Sequence, residues 1–278
     1  MEMSLPVIST RGFTADVYQY NEEYVIKVFR DDVKDEIFER ECFCTEAVQG
    51  LGLGVPKYVG HSKYKGKRAI LLEYIDGKGM IDDIFNPNVD LGKFARQLAE
   101  LQYSIHVCSG GKLEKSKERF ARQLTLSKPV ISDFYYKKLM KLLAEQPDGD
   151  RLCHNDFHFL NVIIRNDNPI IIDWSDATCG DPYSCVARTL TMFEAGSGMT
   201  DDLSEEKKQA ILYLSKIIPQ LATHFRREYA RLAGITTDEL RRRTDAWNVI
   251  VIASRQYFDW EVNKPIMMGH IRRYFDAE

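Results

Sequence analysis

Two stretches near the N-terminus, ADVYQY and EYVIKVF, are rich in β-branched and aromatic residues and surround the polar run NEE, which predicts a β-hairpin. KRAILLEYI reads as a further strand, ended by Gly77 and Gly79. Between them Ile37, Glu41, Cys44 and Val48 recur at spacings of four, three and four, the stripe of a helix lying on the sheet. From about residue 90 the period becomes helical. Leu91, Phe94, Ala95, Leu98, Leu101 and Ile105 mark one face; Ile211, Leu214, Ile218, Leu221, Phe225, Tyr229 and Leu232 mark another. The run TTDE, with Thr236 and Glu239 at capping-box offset, starts a last helix. One β island interrupts the helices: NVIIR, the turn NDN, then PIIIDW. The pattern predicts an α+β chain with a small β-rich lobe over residues 1–76 and a larger, mostly helical lobe over 77–278.

Composition narrows the class. The chain has 278 residues, 44% of them hydrophobic, enough for a core in one large domain or two modest lobes. Its 38 basic and 41 acidic residues nearly balance, so there is no electrostatic footprint for nucleic acid. The N-terminal run MEMSLPVISTRG lacks the basic and apolar regions of a secretory signal. Apolar runs such as AILL and VIVIA fall far short of the roughly 20 residues that span a bilayer. Six cysteines without a C-x-x-C pair read as reduced thiols, and Cys42 and Cys44 as small apolar packing. The expectation is a cytoplasmic protein, monomer or homodimer, with neither membrane nor nucleic acid as partner.

The chemistry concentrates in LCHNDFHFLN, residues 152–161. Three readings compete for it: a zinc hydrolase built on His-x-Asp-x-His, a kinase-type loop built on His-x-Asp-x-x-x-x-Asn, or a polar turn. Zinc needs three or four ligands, and the other histidines (His61, His106, His224, His270) are isolated. The kinase-type reading makes further demands: oxygen ligands for Mg²⁺, a cation for the nucleotide phosphates and a group to fix that cation. Asp156 and Asn161 stand at the required offsets, and twelve residues after Asn161 the strand PIIID ends in Asp173, placed for a shared hard cation. Lys27 sits in an otherwise apolar strand, where an unpaired ammonium is costly. Glu41 lies on the stripe that faces the sheet, so the two are expected as partners. Such a pair holds a lysine toward phosphate more than it stabilises the fold. STRGFTADVY carries one glycine, Gly12, a weak phosphate-loop signal by itself but placed directly before the Lys27 hairpin.

In combination these segments resemble the aminoglycoside phosphotransferase / choline kinase-like family, through LCHNDFHFLNVII, PIIIDWSDATCGDPYSCVARTL, YVIKVF, RECFCTEAVQGLGLGVPKYVG and LLEYIDG, over about residues 6 to 190. The resemblance implies a bilobal protein-kinase-like fold and an ATP- and Mg²⁺-dependent phosphotransferase acting on a hydroxyl of a small molecule: an aminoglycoside-like antibiotic, an amino alcohol or a sugar. It implies that Asp156 is the catalytic base or the group orienting the acceptor hydroxyl, and that Asn161 and Asp173 hold Mg²⁺. It implies that Lys27 contacts the α/β-phosphates, that Glu41 braces Lys27, and that main-chain groups near Glu73 to Ile75 read adenine. His154 is expected to support the loop. Seven residues separate Asp173 from Asp181, too few for a protein-kinase activation segment, which favours a small-molecule kinase.

The chain departs from the family pattern at three places. Asn155 replaces a Gly, Phe159 and Leu160 replace Pro-Gly, and Cys185 stands where an Asp commonly steadies the catalytic loop. These departures motivate an alternative from another class, a catalytically weak or inactive nucleotide-binding pseudokinase module. The acceptor is expected to bind the helical part. There Asp201, Asp202, Glu205, Glu206 and Glu228 are offset by Arg226, Arg227, Arg231 and the run RRR at 241–243. YFDWE (257–261) offers an aromatic and acidic wall for an amino-alcohol cation.

Overall fold

The structure is a computed structural model that describes residues 5–10, 12, 14–86, 88–195, 205–255, 265 and 268–276. YFDWE, Asp201 and Asp202 lie outside the described residues. The chain divides into two compact units, Met1–Asp83 with Phe159–Asp176, and Ile84–His158 with Ala177–Glu278.

The first unit is built on an antiparallel sheet of β1 (Val7–Ser9), β2 (Ala15–Gln19), β3 (Tyr24–Phe29), β4 (Tyr58–Tyr64) and β5 (Lys67–Glu73), in the order β1-β2-β3-β5-β4. The β2–β3 hairpin forms as predicted, with Ala15 opposite Phe29 and Gln19 opposite Val25. Asn21 closes its turn: Oδ1 accepts the N–H groups of Glu23 and Tyr24 at 2.9 and 2.8 Å, the local bonding that favours Asn in turns. Alternation then sorts the faces. Ile26, Val28 and Ala69 form one apolar cluster, whereas Phe29, Ile70 and Ala15 pack with Phe38 and Cys42 of α1 (Asp35–Ala47). Lys27 lies two residues before Phe29 and therefore shares the face that meets α1. Glu41 and Cys44 of α1 and Val48 just past its end are buried as the stripe predicts, joined by Phe38 and Cys42, whereas Ile37 is only half-buried.

The β island belongs to this same unit. β6 (Lys78–Gly79), ahead of the short α2 (Met80–Ile84), pairs with β8 (Val162–Arg165), and β8 pairs with β9 (Asn168–Ile171). The turn residues Asn166 and Asp167 both have positive φ (49° and 63°), the backbone a two-residue hairpin loop requires. Gly54, before β4, docks the hairpin: Ile171 N–H donates to its carbonyl at 2.7 Å, and a Cβ there would fall 2.3 Å from the Pro169 carbonyl oxygen.

The second unit contains α3 (Leu91–Val107), α4 (Ser116–Glu145), α5 (Pro182–Ala195), α6 (Glu205–Leu232) and α7 (Thr237–Ser254), with β7 (Arg151–Cys153) paired to β10 (Thr178–Gly180). Asp90 caps α3 by accepting the Lys93 N–H at 3.0 Å. The α3 stripe differs from the apolar expectation. Leu91 and Leu101 are half-buried, while the polar Gln102 and His106 are buried beside Leu98 and Ile105. Ile218, Leu221, Phe225 and Tyr229 of α6 are buried as predicted, and the Tyr229 hydroxyl lies 2.6 Å from His106 Nδ1. α4 bends at Ser132 (φ 70°), three residues after Pro129. At α7, Thr236 Oγ1 accepts the Glu239 N–H at 3.1 Å, so one half of the expected capping box forms; the Glu239 carboxylate bonds Arg243. No helix among the described residues is long and apolar enough to cross a membrane.

Candidate active site

Two groups of charged side chains stand out, one in each unit. In the first unit Lys27 Nζ lies 2.5 Å from Glu41 Oε1 and 3.3 Å from Asp173 Oδ1. Glu41 is only 3% exposed, so its charge has little water to answer it. Burial by itself would depress the Lys27 ammonium, but Asp173 and Glu41 outweigh that and hold it well above its ordinary value. Burial pushes the Glu41 carboxyl up, against the opposing pull of Lys27. The lysine is thus locked in its charged form. Asp173 has φ of 60°, the left-handed region that a non-glycine residue seldom occupies and that clusters at functional sites. Its Oδ1 also accepts from Ser175 Oγ at 3.1 Å.

Asn161 closes a 3₁₀ turn, Phe159–Asn161, immediately before β8. Its carbonyl accepts the Ile172 N–H at 3.0 Å, which fixes the main chain of Asn161 against that of the residue preceding Asp173. An amide and a carboxylate, with neither His nor Cys, form the donor chemistry of a hard cation that keeps waters and phosphate oxygens in its shell. Among the described residues no group of three or more His, Cys, Asp or Glu is gathered as a metal cluster.

In the second unit the charges are inverted, with one carboxylate among cations. Asp156 Oδ1 lies 3.5 Å from Arg188 and 3.6 Å from Arg255, and Oδ2 lies 3.7 Å from His158 Nε2. Burial would raise the Asp156 carboxyl, but His158, Arg255 and Arg188 prevail and hold it far below the ordinary carboxylate range. His154, fully buried, accepts the Asp156 N–H on Nδ1 at 3.2 Å, the loop support expected of it. Asn155 has φ of 59°, a left-handed residue where the family pattern has Gly. Its side chain donates to Thr178 Oγ1 at 2.7 Å, so the amide that tolerates this backbone also anchors it. Asp181 of the GDP run is structural: Oδ1 accepts the Tyr183 N–H at 3.1 Å at the start of α5, and Oδ2 accepts from Trp247 of α7 at 2.8 Å.

The remaining expected residues all lie in the first unit. Gly12 has a steric reason to be glycine, since a Cβ there would fall 2.7 Å from the Ala15 carbonyl oxygen. Glu73 ends β5 with its carboxylate committed, Oε1 to Arg165 at 2.6 Å and Oε2 to the Lys57 N–H at 3.0 Å. Burial opposes the Glu73 charge, but Arg165 and the Lys57 N–H hold its carboxyl below the usual value. Ile75 is buried two residues on. Of the FL pair, Phe159 is buried and Leu160 exposed. Sequence reading did not single out Arg188 or Arg255. The signal that exposed Lys27 marks them too, for Arg188 sits in CVARTL and Arg255 directly follows VIVIAS, each a cation at the edge of an apolar run.

A small antiparallel sheet unit carrying a Lys–Glu pair, followed by a helical unit carrying the His-x-Asp loop, is the protein-kinase-like bilobal fold. Comparison with solved structures agrees. The streptomycin-ATP-APH(2")-IIa ternary complex matches with a TM-score of 0.60 at 17% identity, over 99% of this chain and 91% of that one. Amicoumacin kinase in complex with AMP-PNP, Ca²⁺ and Ami matches at 0.60 and 14%, over 98% and 88%. Choline kinase from Cryptosporidium parvum Iowa II matches at 0.59 and 10%, over 99% and 89%. No curated protein matches by sequence. The profile of the phosphotransferase enzyme family matches residues 8–242, and the chain belongs to that family.

Proposed function

We propose that the protein is an ATP- and Mg²⁺-dependent O-phosphotransferase that moves the γ-phosphate to a hydroxyl of a small molecule. The observation that carries this reading is the Lys27–Glu41–Asp173 group: a buried carboxylate fixes a permanently charged ammonium beside a second carboxylate. Phosphoryl transfer asks the protein mainly for positioning and charge stabilisation, and these are the parts it uses. Lys27 takes the α/β-phosphates and Glu41 keeps it aimed. Asn161 and Asp173 would hold Mg²⁺, whose charge neutralises the phosphate oxygens. Gly12, ahead of the Lys27 hairpin, would lie near the phosphates, and main-chain groups from Glu73 to Ile75 would read adenine, since the Glu73 carboxylate is held by Arg165 and the Lys57 N–H and Ile75 is buried.

Asp156 receives the acceptor hydroxyl. A carboxylate kept charged among Arg188, Arg255 and His158 accepts the hydroxyl hydrogen bond and aims the oxygen at phosphorus, as catalytic base or as orienting group. ATP and AMP-PNP in the matched complexes of the phosphotransferase APH(2")-IIa and amicoumacin kinase support a nucleotide donor. The reading is tested by ATP consumption with panels of aminoglycosides, amino alcohols and sugars, alongside thermal shift with Mg-ATP. One panel member raising ATP consumption, with phosphate recovered on its hydroxyl, is the expected result. A Mg-ATP thermal shift without turnover on any acceptor would instead favour a nucleotide-binding module.

A further inference from the structure

Cys185 and Thr189 lie one helical turn apart on α5, both fully buried, and both address the loop that carries Asp156. Cys185 Sγ accepts the Asn155 N–H at 3.4 Å, and Thr189 Oγ1 donates to the Phe157 carbonyl at 2.9 Å. The main chain is therefore gripped on the residue before Asp156 and on the residue after it. Gln102, buried on α3, joins the two: Nε2 lies 2.9 Å from Thr189 Oγ1, 3.4 Å from Cys185 Sγ and 3.2 Å from the Cys185 carbonyl oxygen. Arg188, between them on the same helix, reaches the Asp156 carboxylate itself.

The geometry points to Cys185 and Thr189, braced by Gln102, as positioning residues that hold Asp156 where it meets the acceptor hydroxyl. This rests on Asp156 being the acceptor-orienting group. A buried threonine on α5 and a buried glutamine on α3 are poor choices for a helix core, where apolar residues pack without polar atoms to satisfy. Their hydrogen bonds reach the catalytic loop and one another. Cys185 occupies the position where an aspartate commonly steadies this loop, and its sulfur makes the acceptor contact that a carboxylate would make. The electrostatics suit an acceptor: burial would raise the Cys185 thiol, but Cys153, His106 and the Asn155 N–H bring it well below the ordinary thiol range, while the bond to Cys185 and burial push Cys153 up.

The test uses the full chain and four variants: Cys185→Ala, Cys185→Asp, Thr189→Val and Gln102→Leu. Each is followed by ATP consumption with the best acceptor, or with water as acceptor, by KM for ATP, and by hydrogen exchange of the peptide covering residues 153–158. Cys185→Ala and Thr189→Val are expected to lower kcat by about 10- to 100-fold, the scale of a misplaced catalytic group, with KM for ATP little changed. Exchange at 153–158 quickens in both, Gln102→Leu gives a smaller effect of the same kind, and Cys185→Asp restores both readouts toward wild type. Unchanged kcat in folded Cys185→Ala and Thr189→Val overturns the assignment, whether or not exchange quickens. So does a Cys185→Asp variant as impaired as Cys185→Ala. If Cys185→Asp fails to fold, Thr189→Val decides. A wild-type protein that turns over no ATP sinks the phosphotransferase reading, and exchange alone then decides the clamp: unaltered exchange overturns it and faster exchange upholds the grip on the loop.

Discussion

The two charged groups are built on opposite plans. In the first unit one ammonium stands between two carboxylates; in the second one carboxylate stands among two guanidiniums and an imidazole. The first plan keeps a cation charged, as the proposed phosphate contact needs, and the second keeps an anion charged, as the proposed contact to a neutral hydroxyl needs. Each central group is driven further into its charged state by its neighbours, Lys27 upward and Asp156 downward. Groups arranged this way keep their charge across neutral pH. That suits a reaction needing fixed fields more than proton shuttling.

The contrast is broken most severely at Asp173. Asp173→Ala removes a proposed metal ligand and one of the two counter-charges of Lys27. Turnover is expected to fall by about 10³-fold or more, together with weaker Mg-ATP binding in calorimetry, since a lost transition-state contact of this kind is worth several kcal/mol. Unchanged nucleotide affinity and turnover would remove its assignment as a ligand.

A second break leaves a buried charge alone. Lys27→Met strands Glu41 without its cation, and a loss of about 3 kcal/mol is expected from chemical denaturation, the usual cost of breaking a buried pair. The double variant Lys27→Met/Glu41→Gln should recover much of that stability and none of the activity. If both variants are equally stable, an uncompensated Glu41 charge is not what destabilises Lys27→Met.

Arg255→Gln sharpens the acceptor side. A carboxyl whose folded-state pKa is depressed stabilises the fold at pH above its unfolded value, and that contribution is lost as pH falls through the folded value. In the wild type that loss lies below the ordinary carboxylate range, so Asp156 supplies no acid limb to kcat near neutrality. Without Arg255 the carboxyl rises toward its ordinary value, and both the acid loss of activity and the acid loss of stability move to higher pH. Superimposable pH profiles would show that Arg255 does not control Asp156. The smallest effect expected is local: Thr236→Ala removes the α7 cap and costs about 1 kcal/mol of stability without touching turnover.

Much of this was legible in the chain because charged residues interrupt apolar periodicity there. Lys27 in YVIKVF and Glu41 on the α1 stripe are each anomalous alone and are explained by one another, and the structure brings them together at 2.5 Å. The β2–β3 hairpin, the helix faces of α1 and α6 and the Thr236 cap follow from local pattern in the same way. What was not legible depends on long-range pairing. That the β8–β9 hairpin belongs with the N-terminal unit is decided by β6 and by the close approach at Gly54, neither of which has a periodic signature. The burial of Gln102 and His106 on α3 was hidden because their partners, Cys185, Thr189 and Tyr229, are over 80 residues away. By sequence alone, Cys185 leaves the brace of the catalytic loop either absent or supplied otherwise. The structure places its sulfur on the Asn155 N–H, so the contact persists with a different acceptor.

The central claim is that Asp156 orients the acceptor while the Lys27 group holds the nucleotide, and Asp156→Asn tests it most directly. Asparagine keeps the shape and removes the charge. On the acceptor identified by ATP consumption, kcat should fall by about 10³-fold while the dissociation constant for Mg-ATP stays within about twofold, the signature of an interaction made in the transition state. A kcat that barely moves, or a nucleotide affinity that collapses with it, would contradict the account.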